Sequence, residues 1–241
     1  MTDINVYGPI GEAWSDDAVK ASDFARALAD AGGDDVTIHI NSGGGDVFDA
    51  NAMAESLRAY KGRSVASIEG LAASAASYFA LTADEVVINP SALVMIHNPS
   101  SVVFGEAGDM RKTAEVLDKA KETIVSQYAR KTGQTSDEIA ALMDAETWLT
   151  ADEAVEMGLA DRKTDSEPVA ACVDARSLKA FRNAPAALLG KPADGTGDTC
   201  KSIRHDSTKP EPEAGAAEGV EEASTRTECV NGAFLKAKAN A

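Results

Sequence analysis

Three short runs of this chain hold residue types that could break an acyl bond without any bound cofactor. The first is Gly70-Leu71-Ala72-Ala73-Ser74-Ala75-Ala76-Ser77. Small residues surround one serine, so the backbone can turn sharply there and a substrate can approach. A serine at a helix N-terminus also sits among free backbone N–H groups and the positive end of the dipole, which favour a developing oxyanion. Read alone, Ser74 is better explained as an ordinary N-cap of an Ala-rich helix. The second run is Met95-Ile96-His97-Asn98-Pro99. It ends an apolar stretch in a histidine, the side chain whose pKa suits a general base for serine near neutrality. A lone histidine satisfied by a backbone carbonyl is the competing reading. His39 alternates with Ile38 and Ile40, and His205 lies far into the C-terminal part, so both are weaker candidates. The third run, Asn41-Ser42-Gly43-Gly44-Gly45-Asp46, exposes consecutive amides that suit an oxyanion hole or a phosphate cradle. No Lys-Ser/Thr follows these glycines and residue 48 is Phe, so neither a P-loop nor a dinucleotide fingerprint is present. An ordinary flexible turn is the plain alternative.

The elements that would position these runs alternate in type. Ile4 to Tyr7 reads as a short strand stopped by Gly8-Pro9. Asp17 to Ala31 carries a helical stripe of Val19, Ala21, Phe24, Ala25 and Leu28, closed by Gly32-Gly33. Val36 to Ile40 is a strand, Val47 to Tyr60 a helix, Ser64 to Ile68 a strand, and a helix opens at about Ser74. Val86 to Asn89 and Leu93 to Ile96 read as strands. One strand-turn-strand therefore separates Ser74 from His97. Met110 to Lys131 is a long helix with Met110, Ala114, Leu117, Ala120, Ile124 and Tyr128 on one face. Thr135 with Glu138, and Thr150 with Glu153, fit capping boxes that open two short helices, the second stopped at Gly158. Repeated strand-helix-strand units predict an α/β layer on a largely parallel sheet, whose sites lie where strands end and helices begin.

Composition narrows the function. The 241 residues carry 39 acidic against 23 basic side chains, a formal charge of -16, and a surface this acidic repels nucleic-acid phosphates. No run reaches the roughly 18 apolar residues of a membrane span. Residues 1–4 lack the basic and apolar regions of a signal peptide, so a cytoplasmic protein is expected. Cys172, Cys200 and Cys229 are odd in number and widely spaced, and form neither a disulfide framework nor a zinc pattern. No metal or organic cofactor is expected. The composition changes near residue 165, and from Lys191 to about Arg226 the chain is rich in Gly, Pro, Ser, Thr, Ala and Glu. Such a segment buries too little apolar surface to offset its ordering entropy. The expected organisation is a catalytic domain over 1–164 and a flexible C-terminal extension over 165–241.

Taken in order, the three runs resemble the Clp-type (ClpP) serine peptidases: Asn-Ser-x-Gly-Gly at 41–45, Gly-x-Ala-Ala-Ser at 70–74 and Met-Ile-His-x-Pro at 95–99. A fourth run, Trp148-Leu-Thr-Ala-x-Glu-Ala-x-x-x-Gly-Leu-Ala-Asp161, completes the resemblance over most of residues 4–163. It implies a ClpP/crotonase-like spiral of βαβ units with a protruding handle helix, followed here by a largely disordered tail. It also implies Ser74 as nucleophile, His97 as base, and the amides of Gly45 and Ala75 as the oxyanion hole. The family's acidic member falls on Glu146, where ATP-dependent members usually carry Asp, with Asp144 as competitor. Gly43 stands where the family usually has proline.

Gly8-Pro-Ile-Gly, Gly45-Asp-Val-Phe-Asp-Ala, Ser74-Ala-Ala-Ser and Glu146-Thr-Trp are more similar to the phage branch, the prohead or head maturation proteases. The resemblance thus implies a serine endopeptidase acting on capsid or scaffold proteins, in the host cytoplasm or procapsid, as a homo-oligomeric ring. One alternative is the proteolytic subunit of an ATP-dependent Clp protease, working with an AAA+ unfoldase. Another is a non-catalytic assembly or scaffold protein with a relic site. A crotonase-like acyl-CoA enzyme would share the architecture but would not need the Ser74/His97 pair.

Overall fold

The computed structural model describes residues 1–11, 18–165, 178 and 181–185, all within one unit. The first half is a run of crossover units in which each strand is followed by a helix and then by a parallel strand. Strand β1 (Thr2–Tyr7) leads to helix α1 (Ala21–Asp30) and β2 (Val36–Ser42), then to α2 (Val47–Arg58) and β3 (Ser64–Ala73). Next come α3 (Ala75–Ala80), β4 (Glu85–Ile88) and β5 (Leu93–Ile96). The chain continues through α4 (Ala107–Thr132), α5 (Ser136–Asp144), β6 (Thr147–Thr150), α6 (Ala151–Glu156) and β7 (Arg162–Lys163). The strands make one seven-stranded sheet in the order β1-β2-β3-β4-β7, with β5 pairing β3 and β6. Every pairing is parallel except β5 with β6. The expected α/β spiral on a largely parallel sheet is therefore observed.

Helices α1, α2 and α3 cover one face of this sheet. Phe24 and Leu28 of α1, Met53 and Leu57 of α2, and Tyr78 and Phe79 of α3 interlock over Ile38, Ile40 and Ile68. Phe24 and Phe79 meet edge to face at 5.1 Å. With so few aromatics, Ala50, Ala54, Ala72, Ala76 and Ala80 fill the remaining space and let helix and sheet approach closely.

Several elements differ from the sequence reading. Ala18 to Lys20 are not helical, because Val19 is tied to the Pro9–Gly11 loop by backbone bonds in both directions, and residue 17 lies outside the described residues. Strand β3 runs five residues beyond Ile68, to Ala73, because it changes partner. Val65–Ile68 pair with β4 and Leu71–Ala73 with β5, with a register shift against β2 between them. The strand β6 was missed, and so was the two-residue β7. Helix α4 starts at Ala107 rather than Met110, at a capping box formed by Glu106 and Asp109. Its apolar stripe is buried only near the C-terminal end, at Ile124 and Tyr128, while Met110 and Ala114 are exposed. The first turns thus project from the body, as the handle reading expects. Both predicted capping boxes, Thr135/Glu138 and Thr150/Glu153, are formed.

The three cysteines and the Lys191–Arg226 segment lie outside the described residues. Leu178 and residues 181–185 are described; Leu178 forms a small second cluster with Leu71, Ala73 and Met95, against which Phe181, Ala184, Leu93 and Trp148 pack. Among the described residues no helix is long and apolar enough to cross a membrane, and no cluster of His, Cys, Asp or Glu could hold a metal ion.

Candidate active site

Strand register brings the distant residues together. Parallel pairing of β3 with β5 sets Ala73 against Met95. The next residue, Ser74, donates its backbone N–H to Met95 O at 2.9 Å. Antiparallel pairing of β5 with β6 sets Ile96 against Thr147, so the next positions along the two strands are His97 and Glu146. The C-terminal ends of β3 and β5 and the start of β6 therefore converge on Ser74, His97 and Glu146. Asp144 is two positions further out, at the end of α5. It lies on the surface, where Lys121 and the Asn98 side chain hold its carboxyl below the usual range.

Ser74 occupies φ 54°, ψ -125°, a conformation that non-glycine residues rarely adopt. It precedes α3, yet its side chain makes no capping bond. Its Oγ instead lies 2.7 Å from His97 Nε2. The helix start is secured by other groups. Ser74 O accepts from the Ser77 amide and from Ser77 Oγ at 2.7 Å, and Ser77 Oγ also meets Tyr128 OH at 2.7 Å. The ordinary N-cap reading of Ser74 does not hold.

The glycine loop is packed against this turn. A Cβ on Gly44 would sit 2.6 Å from Ala73 O, 2.8 Å from Ser74 Cβ and 2.9 Å from Ala75 N. Gly45, at φ 152°, could carry none, because it would lie 2.1 Å from Ile10 O. Bonds from Ile10 N–H to Gly44 O, Asp46 N–H to Ile10 O and Gly44 N–H to Ser42 Oγ fix the loop. The flexible-turn alternative therefore fails: these glycines are there for close approach. The amides of Gly45 and Ala75 are not among the donors that tie it.

His97 is largely buried. Burial pushes its imidazole below its ordinary pKa; the nearby Glu146 charge opposes this and Arg182 adds to it. The Phe181 ring stands edge-on to the imidazole at 5.2 Å, and to Trp148 at 5.9 Å.

Glu146 is 5% exposed and sits at φ 51°, in the left-handed region. Burial would raise its pKa, but amide donors outweigh it and hold the carboxyl below the usual range. Asn183 N–H donates to Oε1 at 2.6 Å, Arg182 N–H to Oε2 at 2.8 Å, and Trp148 Nε1–H to Oε1 at 3.4 Å. The carboxylate is not hydrogen-bonded to the His97 ring; it acts on it through charge. The contacts from residues 181–183 were missed in the sequence, where only an apolar stretch from Leu178 to Leu189 marked them.

A small pocket opens beside the serine, lined by Val47, Ser74, Ala75, Tyr78, His97, Pro99, Ile124 and Tyr128. Its walls are apolar apart from the serine, the histidine and two phenolic rings. Both phenols are anchored away from solvent, Tyr128 on Ser77 and Tyr78 on Asn51 and Gln127.

The fold brings a serine and a histidine into hydrogen-bond contact at the ends of parallel strands. Residues 2–167 match the Clp protease family. The ATP-dependent Clp protease proteolytic subunit 3 of Rhizobium etli is 31% identical over 166 residues, which cover 68% of this chain and 84% of that protein. Subunit 1 of Chlamydia abortus is 35% identical over 133 residues, covering 54% and 69%. Subunit 3 of Streptomyces coelicolor is 32% identical over 134 residues, covering 55% and 62%. The chain belongs to the Clp protease family, and its class of activity is that of a ClpP-like peptidase.

Proposed function

We propose that this chain is a serine endopeptidase in which Ser74 is the nucleophile, His97 the general base and Glu146 the third member. The observation that carries this reading is the strained Ser74 turn with its Oγ 2.7 Å from His97 Nε2 and unused as a helix cap. His97 Nε2 takes the Oγ proton as Oγ attacks the scissile carbonyl carbon. The oxyanion is received by the amides of Gly45 and Ala75, each such donor being worth about 3 kcal/mol in the transition state. His97 then protonates the leaving amine, and water releases the acyl group by the same route. No cofactor takes part.

The phage-like sequence details favour a head maturation protease that cuts capsid or scaffold proteins, in the host cytoplasm or procapsid. A homo-oligomeric ring is supported by exposed Val102, Phe104, Met110 and Val116 at the start of the handle, apolar side chains that assembly would cover. The names of the relatives favour a second reading, the proteolytic subunit of an ATP-dependent Clp protease served by an AAA+ unfoldase. The relic-site reading is disfavoured by the close packing of Gly44 on the serine turn.

Intact mass of wild type and Ser74→Ala, alone and after incubation with casein, tests the assignment. Cleavage by wild type and none by the variant supports it. Activity without ATP favours the head maturation reading, and activity only with an unfoldase and ATP favours the second. A wild type that neither cleaves nor reacts with a fluorophosphonate at Ser74 leaves the relic reading.

A further inference from the structure

The Clp protease match ends at residue 167, yet the carboxylate beside His97 is held by residues beyond it. Both Glu146 oxygens accept backbone N–H groups from Arg182 and Asn183, and Asn183 Nδ2 also donates to Ala145 O at 2.9 Å. Leu178 is fully buried against Leu71, Ala73 and Met95, the strand ends that carry Ser74 and His97. Phe181 fills the corner between His97 and Trp148. None of these side chains lines the pocket beside Ser74. The segment therefore closes the back of the site without plugging the front.

We propose that Leu178 and residues 181–184 are a positioning element of the active site. The Arg182 and Asn183 amides fix the Glu146 carboxylate as an anion beside His97, and Phe181 shields the imidazole from water. The inference rests on the Ser74/His97/Glu146 reading above. A buried carboxylate without donors would take up a proton or draw in water. Two amide bonds to a charged acceptor prevent both. They also account for a glutamate in the left-handed region: the turn at Glu146 aims its longer side chain at the segment. The functional domain then extends to about residue 184, some twenty residues beyond the boundary expected at 164. Any self-trimming that preserves activity must cut beyond that point.

The charged groups around His97 are Glu146 on the β6 side and Arg182 on the segment, with the Asp144–Lys121 pair on the neighbouring Asn98. Loss of Phe181 removes shielding, so His97 would keep its proton to higher pH.

The test uses full-length variants, with fluorophosphonate labelling of Ser74 and hydrolysis of a short fluorogenic peptide as readouts. Asn183→Pro deletes one amide donor to Glu146. It should lower kcat and the labelling rate about tenfold to a hundredfold with KM within about twofold, the scale of a small misplacement in a catalytic group. Asn183→Ala keeps the amide and should remain at least about tenfold faster than the proline variant. Phe181→Ala should move the acidic limb of kcat/KM to higher pH, and Phe181→Leu should move it back. If Asn183→Pro fails to fold by circular dichroism, the Phe181 pair decides. Folded variants with wild-type kcat and an unmoved limb overturn the inference while leaving the serine assignment standing. A wild type that labels no better than Ser74→Ala overturns the serine assignment, and the inference with it.

Discussion

Ser74 and His97 are 23 positions apart in the chain, and their Oγ and Nε2 atoms are 2.7 Å apart in the fold. The partner change of β3 makes this contact: its first half pairs with β4 and its end with β5, so the strands on either side of the intervening turn both serve β3. The cost is local. Ser74 is held at φ 54°, ψ -125° by Met95 O in front and the Ser77 hydroxyl behind, which Tyr128 OH in turn meets.

That strain predicts opposite movements of stability and activity. Glycine adopts the Ser74 conformation without penalty, so Ser74→Gly should raise stability by about 1 kcal/mol after allowing for the lost Oγ bond. Peptidase activity should vanish. Ser74→Ala loses activity equally but keeps the strained backbone, and should be no more stable than wild type. Urea midpoints of the three proteins check this; a glycine variant below the alanine variant would refute the strain.

The site should be acid-labile in both activity and stability. His97 is pushed below its ordinary value near 6.5 by burial, so the acidic limb of kcat/KM should have its midpoint below about 6.5. The unfolded chain binds a proton at this histidine at a higher pH than the folded chain does. Stability from His97 is therefore lost as pH falls from about 6.5 through the folded value. Glu146, held below the carboxylate range, loses its contribution in the same direction, as pH falls from about 4.3. His39 has the opposite sign. Burial lowers its pKa, but bonds to Glu69 and Asp3 outweigh that and raise it. Its contribution is present at low pH and lost as pH rises through the raised value. Urea midpoints from pH 2 to 8 should show the loss below about pH 4.3 shrinking in Glu146→Gln and the alkaline loss shrinking in His39→Gln.

The glycine loop should tolerate no side chain, whereas a handle glycine should welcome one. Gly44→Ala places a methyl group against Ser74 and Ala75, and Gly45→Ala against Ile10 O, both at positive φ. Each should cost about 2 kcal/mol or more and reduce activity more than the stability loss explains. Gly108 lies within α4 with nothing near its added Cβ. Gly108→Ala should stabilise the helix by up to about 1 kcal/mol. Melting temperatures and peptide hydrolysis distinguish the two kinds of site.

Ser74, His97 and the glycine loop were legible because each chemistry sits at a strand end, where the apolar run before it is plain. The capping boxes were legible because their bonds are local. Strand β6 was not, because Thr147–Thr150 is four residues long and makes sense only as the antiparallel partner of β5. The role of residues 181–183 was not, because it rests on backbone amides, which every residue type carries, meeting a carboxylate 36 or 37 positions away. Nor does the type of residue 146 announce a left-handed turn, which usually selects Gly, Asn or Asp.

The choice between Glu146 and Asp144 is the sharpest prediction at the site. Register sets Glu146 at the position beside His97, and its buried charge faces the imidazole. Asp144 is exposed and occupied by Lys121 and Asn98. Glu146→Gln keeps the shape and one acceptor oxygen but removes the charge and turns an NH2 towards an amide donor. It should lower kcat about tenfold to a hundredfold, less than a fully hydrogen-bonded triad acid, because no bond joins the carboxylate to the ring. Glu146→Asp is one methylene short of the Arg182 and Asn183 amides and should fall between wild type and the glutamine variant, even though aspartate suits the left-handed backbone better. Asp144→Asn should stay within about twofold of wild type in kcat, since it alters only a surface ion pair with Lys121 and a surface hydrogen bond from Asn98. Hydrolysis of a short fluorogenic peptide, read alongside fluorophosphonate labelling, separates these cases. If Asp144→Asn is the damaging change and Glu146→Gln the mild one, the acidic member has been assigned to the wrong residue.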